Sequence, residues 1–287
     1  MVNQTPGQTE YEFDWQNPNY VKPQYEIGRV ISRTYQGIFK QWKPIGLAIL
    51  WFLLVNLVLT FLAYGITGRT GLETDAPSGV LMPLIILITF LSVATSVLGY
   101  VFIMAVTDAA LFSEYTNRPT TFKALARKAL RKTIPLTFGI VLFIIAYYLG
   151  ILFFIIPGLL VYYGWGVFGP IYVNEDQGLF ASFGRSWNLM SGYKRWFFLS
   201  NLVIGLINSV IFIAVLFIMM LPLVAVINSS SASSNIGIVY LAVISLGYAF
   251  GFIVIAVLTA SMTTATYLEV KQLKEDAGHD NLVNVFT

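Results

Sequence analysis

Six stretches of the chain, residues 44–67, 81–112, 134–156, 158–174, 196–227 and 236–268, are long and almost free of charge. A bilayer core about 30 Å thick takes roughly 20 apolar residues as helix, so each stretch is a candidate crossing. In lipid every backbone N–H and C=O must be paired inside the segment, and outside a closed barrel only helix achieves this. The wider composition agrees: 57% of residues are hydrophobic and 11% charged. A soluble domain carries about 25% charged residues. The expected fold is all-α, a polytopic membrane protein with six transmembrane helices and cytoplasmic interfacial amphipathic helices.

The apolar stretches divide the chain into residues 1–26, a polar acidic N-terminal extension, residues 27–268, the six-helix membrane domain, and residues 269–287, a cytoplasmic tail. The extension lacks the short basic start and immediate apolar core of a cleavable signal, so the first spanning helix is expected to direct insertion. Charge then predicts orientation. With both termini on one side, all but Arg69 of the 17 Lys and Arg residues fall on the same face. The positive-inside rule makes that face, and both termini, cytoplasmic. The opposite connections are short: residues 68–79, the polar run NSSSASSN at 228–235, and Pro157-Gly158, expected as a tight turn between hairpin helices.

Three basic segments precede membrane hairpins. Placing Ile27 under Leu179 aligns Ser32-Arg33-Thr34-Tyr35 with Gly184-Arg185-Ser186-Trp187, and Pro44 and Trp196 then open apolar spans. Between the second and third spans lies TTFKALARKALRK, which carries Arg127. The domain is thus expected to hold three repeats of amphipathic helix plus hairpin. Helical spacing puts Leu179, Phe183, Trp187 and Met190 on one face, Ile27, Ile31, Tyr35 and Ile38 on another, and Phe122, Leu125, Ala129 and Leu130 on a third. Thr120 or Thr121 is the expected N-cap of the middle helix. Such faces, edged by cations, are expected to bed into an anionic monolayer. Arg33, Arg127, Arg185, Trp187, Lys194, Arg195 and Trp196 are the candidate headgroup or interface residues.

Ile155-Ile156-Pro157-Gly158, followed by Ala-Ser-Phe-x-Arg-Ser-Trp-x-Leu-Met-Ser-Gly at 181–192, resembles bacterial six-span proteins of the YciC-like group. That group is similar to the membrane domain attached to some glycerophosphoryl diester phosphodiesterases. The resemblance is strongest over residues 102–198 and extends over 27–268. It implies a six-span fold in the bacterial inner (cytoplasmic) membrane. It implies no esterase, because catalysis in the fused proteins resides in a separate soluble barrel.

The chain offers little chemistry. Cysteine is absent and the single histidine, His279, lies in the polar tail, so no nitrogen- or sulfur-rich metal site is expected, and no cofactor. Asp108, Glu114, Glu175 and Asp176 would have to converge to bind a cation through oxygen. The expectation is instead that they pair with Arg127, Arg185 or Lys194 and pin the amphipathic helices. Asn201, Asn208 and Asp108 are the candidate polar path of a carrier, set against simple helix packing. A net charge of +3, accounted for by topology, points away from nucleic acid. The expected role is non-enzymatic: organising lipids or partner proteins in the envelope, with membrane lipids, chiefly anionic ones, and a membrane protein as partners. The alternatives are a transporter or lipid-handling carrier and, third, a lipid-headgroup enzyme at the inner leaflet.

Overall fold

A computed structural model describes residues 24–69, 78–118, 120–228 and 250–274. Its elements are all helical: α1 Ile27–Lys40, α2 Trp42–Arg69, α3 Ser78–Tyr115, α4 Phe122–Phe153, α5 Ile155–Trp165, α6 Phe168–Asn174, α7 Leu179–Met190 and α8 Lys194–Asn228. The last, α9, is Phe250–Lys274. Among the described residues five helices or helix pairs are long and apolar enough to cross a bilayer. The count is six if α1 and the first part of α2, which meet at a 68° bend, form one broken span. The protein is therefore a polytopic helical membrane protein. The expected spans 44–67, 81–112 and 196–227 correspond to α2, α3 and α8 within a few residues. The sixth begins at 236, so its start, like the 228–235 connection beyond Asn228, lies outside the described residues.

The helices differ in what surrounds them. In α9 67% of the most apolar window is buried, against 11% in α4. Among these helices α9 is the most enclosed and α4 the least. One apolar core joins α2, α3, α4, α6, α7 and the first half of α9 around Ile103, Ala105 and Val106. A second gathers α1, α6, α7, α8 and the end of α9 around Tyr267 and Phe197. Hydroxyls within the helices return their protons to the preceding turn, as Thr107 does to Ile103 O and Ser261 to Val257 O. That pairing satisfies them without water.

The hairpin turns somewhere other than Pro157-Gly158. The chain reverses at Phe154, an extended residue with φ −160° and ψ 142°. Pro157 and Gly158 belong to the first turn of α5, where the missing proline N–H costs no helical bond. The role of Gly158 is close approach. A Cβ on Gly150 would fall 2.7 Å from the Gly158 Cα, so the two bare glycines let the legs touch backbone to backbone. At the other end of the hairpin, the basic segment and the third span form one continuous helix, α4, capped by Thr121, whose side chain accepts from Ala124 N–H at 3.4 Å.

Much of each amphipathic stripe packs on protein, although Trp187 stays 38% exposed. Phe183 stacks on Phe168 at 4.5 Å and meets the Trp165 ring, tilted by 51°, at 4.7 Å, and Met190 is fully buried. On α1 the buried line is Val30, Thr34 and Gly37, with Ile27, Ile31 and Ile38 packed at its margins. On α4 it is Leu125, Ala129 and Thr133, while Leu130, expected on that face, is 61% exposed. A helix has an apolar face for lipid or for a neighbour alike, so periodicity found the faces without telling which of their residues a neighbouring helix covers.

Candidate functional site

Two carboxylates, Glu269 and Glu175, gather cations from several helices. Glu269 on α9 is wholly buried and takes Arg33 at 3.0 Å and Arg29 at 3.3 Å. It also accepts the Glu26 backbone N–H at 3.4 Å. The other guanidinium nitrogen of Arg33 reaches Gln272 at 2.8 Å, and Tyr115 donates to the Arg33 carbonyl at 2.8 Å. Together these bonds tie α1 across α9 and α3. Arg33 thus faces inward to a carboxylate.

A second lock fixes α7. Glu175, just past α6, accepts from Arg185 Nε at 3.1 Å, Tyr267 OH at 2.7 Å and Lys271 Nζ at 3.2 Å. Burial alone would raise its carboxyl, but the bonds from Tyr267, Arg185 and Lys271 outweigh that and hold it below the ordinary carboxylate value. Arg185 is therefore paired with Glu175, one of the cations expected to partner these acids. Trp187 lies against Gly164 and carries the Lys194 ammonium 3.6 Å above its ring. Arg195 sits 5.6 Å from the Trp196 ring, which stacks in turn on Tyr25.

The four acids do not converge. Asp108 accepts from Thr264 at 2.7 Å, and Glu114 takes Gln41 at 2.6 Å and Lys40 at 3.4 Å. Glu175 holds the α7 lock, and Asp176 faces the start of α4. No group of three or more acids and histidines placed to hold a metal occurs among the described residues. The polar-path residues are likewise dispersed. Asn201 accepts from Tyr162 at 3.2 Å and donates to Phe197 O, while Asn208 accepts from Tyr35 at 3.0 Å. A groove of about 700 Å³ between α2 and α9 is walled by Trp42, Ile45, Ile49, Ile253 and Val257 and by none of these polar groups.

A cluster of cations on α4 also lies outside the locks. Lys123, Arg127 and Arg131 follow one another at four-residue intervals on α4 and are exposed. Four residues advance about 6 Å and return near the same azimuth, so the three make a ridge. With Lys128, Lys132 and Asp176 they line a pocket of about 480 Å³. Lys128 is steadied by Asn174 Oδ1 at 3.1 Å, and Lys132 by the Tyr172 ring at 4.6 Å. Among the described residues Lys123, Arg127 and Arg131 enter no ion pair. The pocket therefore keeps five cations against one carboxylate and suits an anion.

Of this ridge only Arg127 was singled out by sequence; the K-x-x-x-R-x-x-x-R spacing was the overlooked signal. Glu269 was missed as well, its sole trace being an acid among apolar residues in Tyr267-Leu268-Glu269-Val270. No family model, curated protein or solved structure matches the chain.

Proposed function

We propose that the protein is a non-enzymatic integral protein of the bacterial inner membrane that organises anionic lipids, and partner proteins seated among them, at the cytoplasmic leaflet. The observation that carries this reading is the division of labour among charges. The locks engage Arg33 and Arg185, while the α4 ridge of Lys123, Arg127 and Arg131 stays exposed and without an ion pair among the described residues. Both termini are cytoplasmic on this reading, which puts the ridge where anionic headgroups lie and where each cation contributes about 1 kcal/mol. A carrier draws no support from Asn201, Asn208 and Asp108, each bonded to a different helix. A headgroup enzyme draws none from the four scattered carboxylates.

The test is composition. Protein excised with its surrounding membrane in polymer discs should retain phosphatidylglycerol and other anionic phospholipids above their share of the bulk membrane. Discs matching the bulk composition would refute the proposal.

A further inference from the structure

Resting on that reading, we infer that the α4 ridge is a discrete site for one phospholipid bearing two phosphates, of the diphosphatidylglycerol class, whose acyl chains run down the same helix. Two independent features of α4 meet here. The first is charge: Lys123, Arg127 and Arg131 stand exposed beside Lys128 and Lys132, against Asp176 alone. A single phosphate would leave most of this charge unneutralised, whereas two phosphates joined through one glycerol span neighbouring turns of the helix. Arg and Lys serve differently, Arg offering a planar fork to phosphate oxygens and Lys a mobile point charge.

The second feature is the continuation of the ridge. From Arg131 the same line proceeds through Ile134, Phe138, Val141 and Ile145 at intervals of three and four, and all four side chains are exposed hydrophobics. A helix whose outward stripe changes from cationic to apolar at one level fits a molecule with a charged head and long tails. A soluble polyphosphate or a nucleic acid would use the cations and leave the apolar continuation idle. Lys132 and Lys128, steadied by Tyr172 and Asn174, hold one wall of the pocket in place before any ligand arrives.

The experiment is native mass spectrometry of the full chain, titrated in detergent with diphosphatidylglycerol, phosphatidylglycerol, phosphatidylcholine or inorganic pyrophosphate. One diphosphatidylglycerol should bind per protein, in preference to phosphatidylglycerol. In the triple variant Lys123→Gln/Arg127→Gln/Arg131→Gln its affinity should fall about a hundredfold, near fivefold per charge. Lys43→Gln, which removes a cation on α2, should leave it unchanged. The three positions are exposed, so the variant should fold, and an unchanged circular dichroism melt checks this. Arg131→Gln alone, with its expected fivefold loss, provides the same reading should the triple variant misfold.

Equal retention by wild type and variants would overturn the site. So would equal affinity for both anionic lipids, which would leave the general function standing. Displacement of the lipid by equimolar pyrophosphate would show an anion pocket indifferent to tails and would also overturn it. Indifference between anionic lipids and phosphatidylcholine would remove both the site and the function proposed above.

Discussion

Replacing Glu269 by Ala should release α1 while leaving α7 in place. The side chain is wholly buried and faces two guanidiniums, Arg33 at 17% exposure and Arg29 at 37%. Cutting one partner from a buried ion pair costs about 3–5 kcal/mol, because the surviving charge is stranded. Arg29 is more than a third exposed, so water screens most of its share. Discounting for that, and for the partial access of Arg33, leaves on the order of 2–3 kcal/mol. Since 1.4 kcal/mol is tenfold, local opening of α1 should become about 30- to 150-fold more frequent. Amide hydrogen exchange reads this directly, through faster exchange across residues 27–40 and unaltered exchange across residues 179–190. Pairing the change with Arg33→Met should recover much of the protection, because the stranded charge is then gone. Unchanged exchange in α1 after Glu269→Ala would refute the claim that this carboxylate holds the helix down.

Glu175 gives the complementary case with a pH axis. Its folded carboxyl lies below the ordinary value, so the lock stabilises α7 above the unfolded pKa of about 4.3 and is lost as pH falls through the lower folded value. Exchange across residues 179–190 should accelerate on acidification, and Glu175→Gln should remove most of that dependence. Gly164→Val would drive a side chain into the Trp187 ring and should lower stability by about 1–3 kcal/mol, seen as a reduced thermal midpoint in detergent together with a shifted tryptophan emission. A reporter fused at Gly79 or Ser231 should behave as extracytoplasmic, and one fused after Arg118 or Thr287 as cytosolic; the reverse pattern would invert the leaflet assigned to the α4 ridge.

Sequence revealed where helices cross far better than what each helix faces, and the reason is physical. In water an apolar stripe must turn inward, so periodicity implies burial. In a bilayer the solvent is as apolar as the core, so the stripe of Leu179, Phe183 and Trp187 was compatible with lipid or with α5 and α6; Phe183 is buried against protein, while Trp187 stays 38% exposed. Turn position failed for a related reason. Proline and glycine mark reversals in aqueous loops, yet here Pro157 fits the unpaired first turn of α5 and Gly158 provides contact with Gly150. The Thr121 cap was legible because a cap is local. The Glu269–Arg33 pair was not, since 236 residues separate its members and no short-range pattern joins them.

The tip of the α4–α5 hairpin has a consequence for biosynthesis. Leu152, Phe153, Phe154, Ile155 and Ile156 are all largely exposed hydrophobics, so the reversal bears no ionised side chain. Seating these two legs drags no charge through hydrocarbon, and the barrier that usually calls for a translocation channel is correspondingly small. The pair can slip into the bilayer as a ready-made wedge, point first, while the Lys and Arg residues at its base act as the stop.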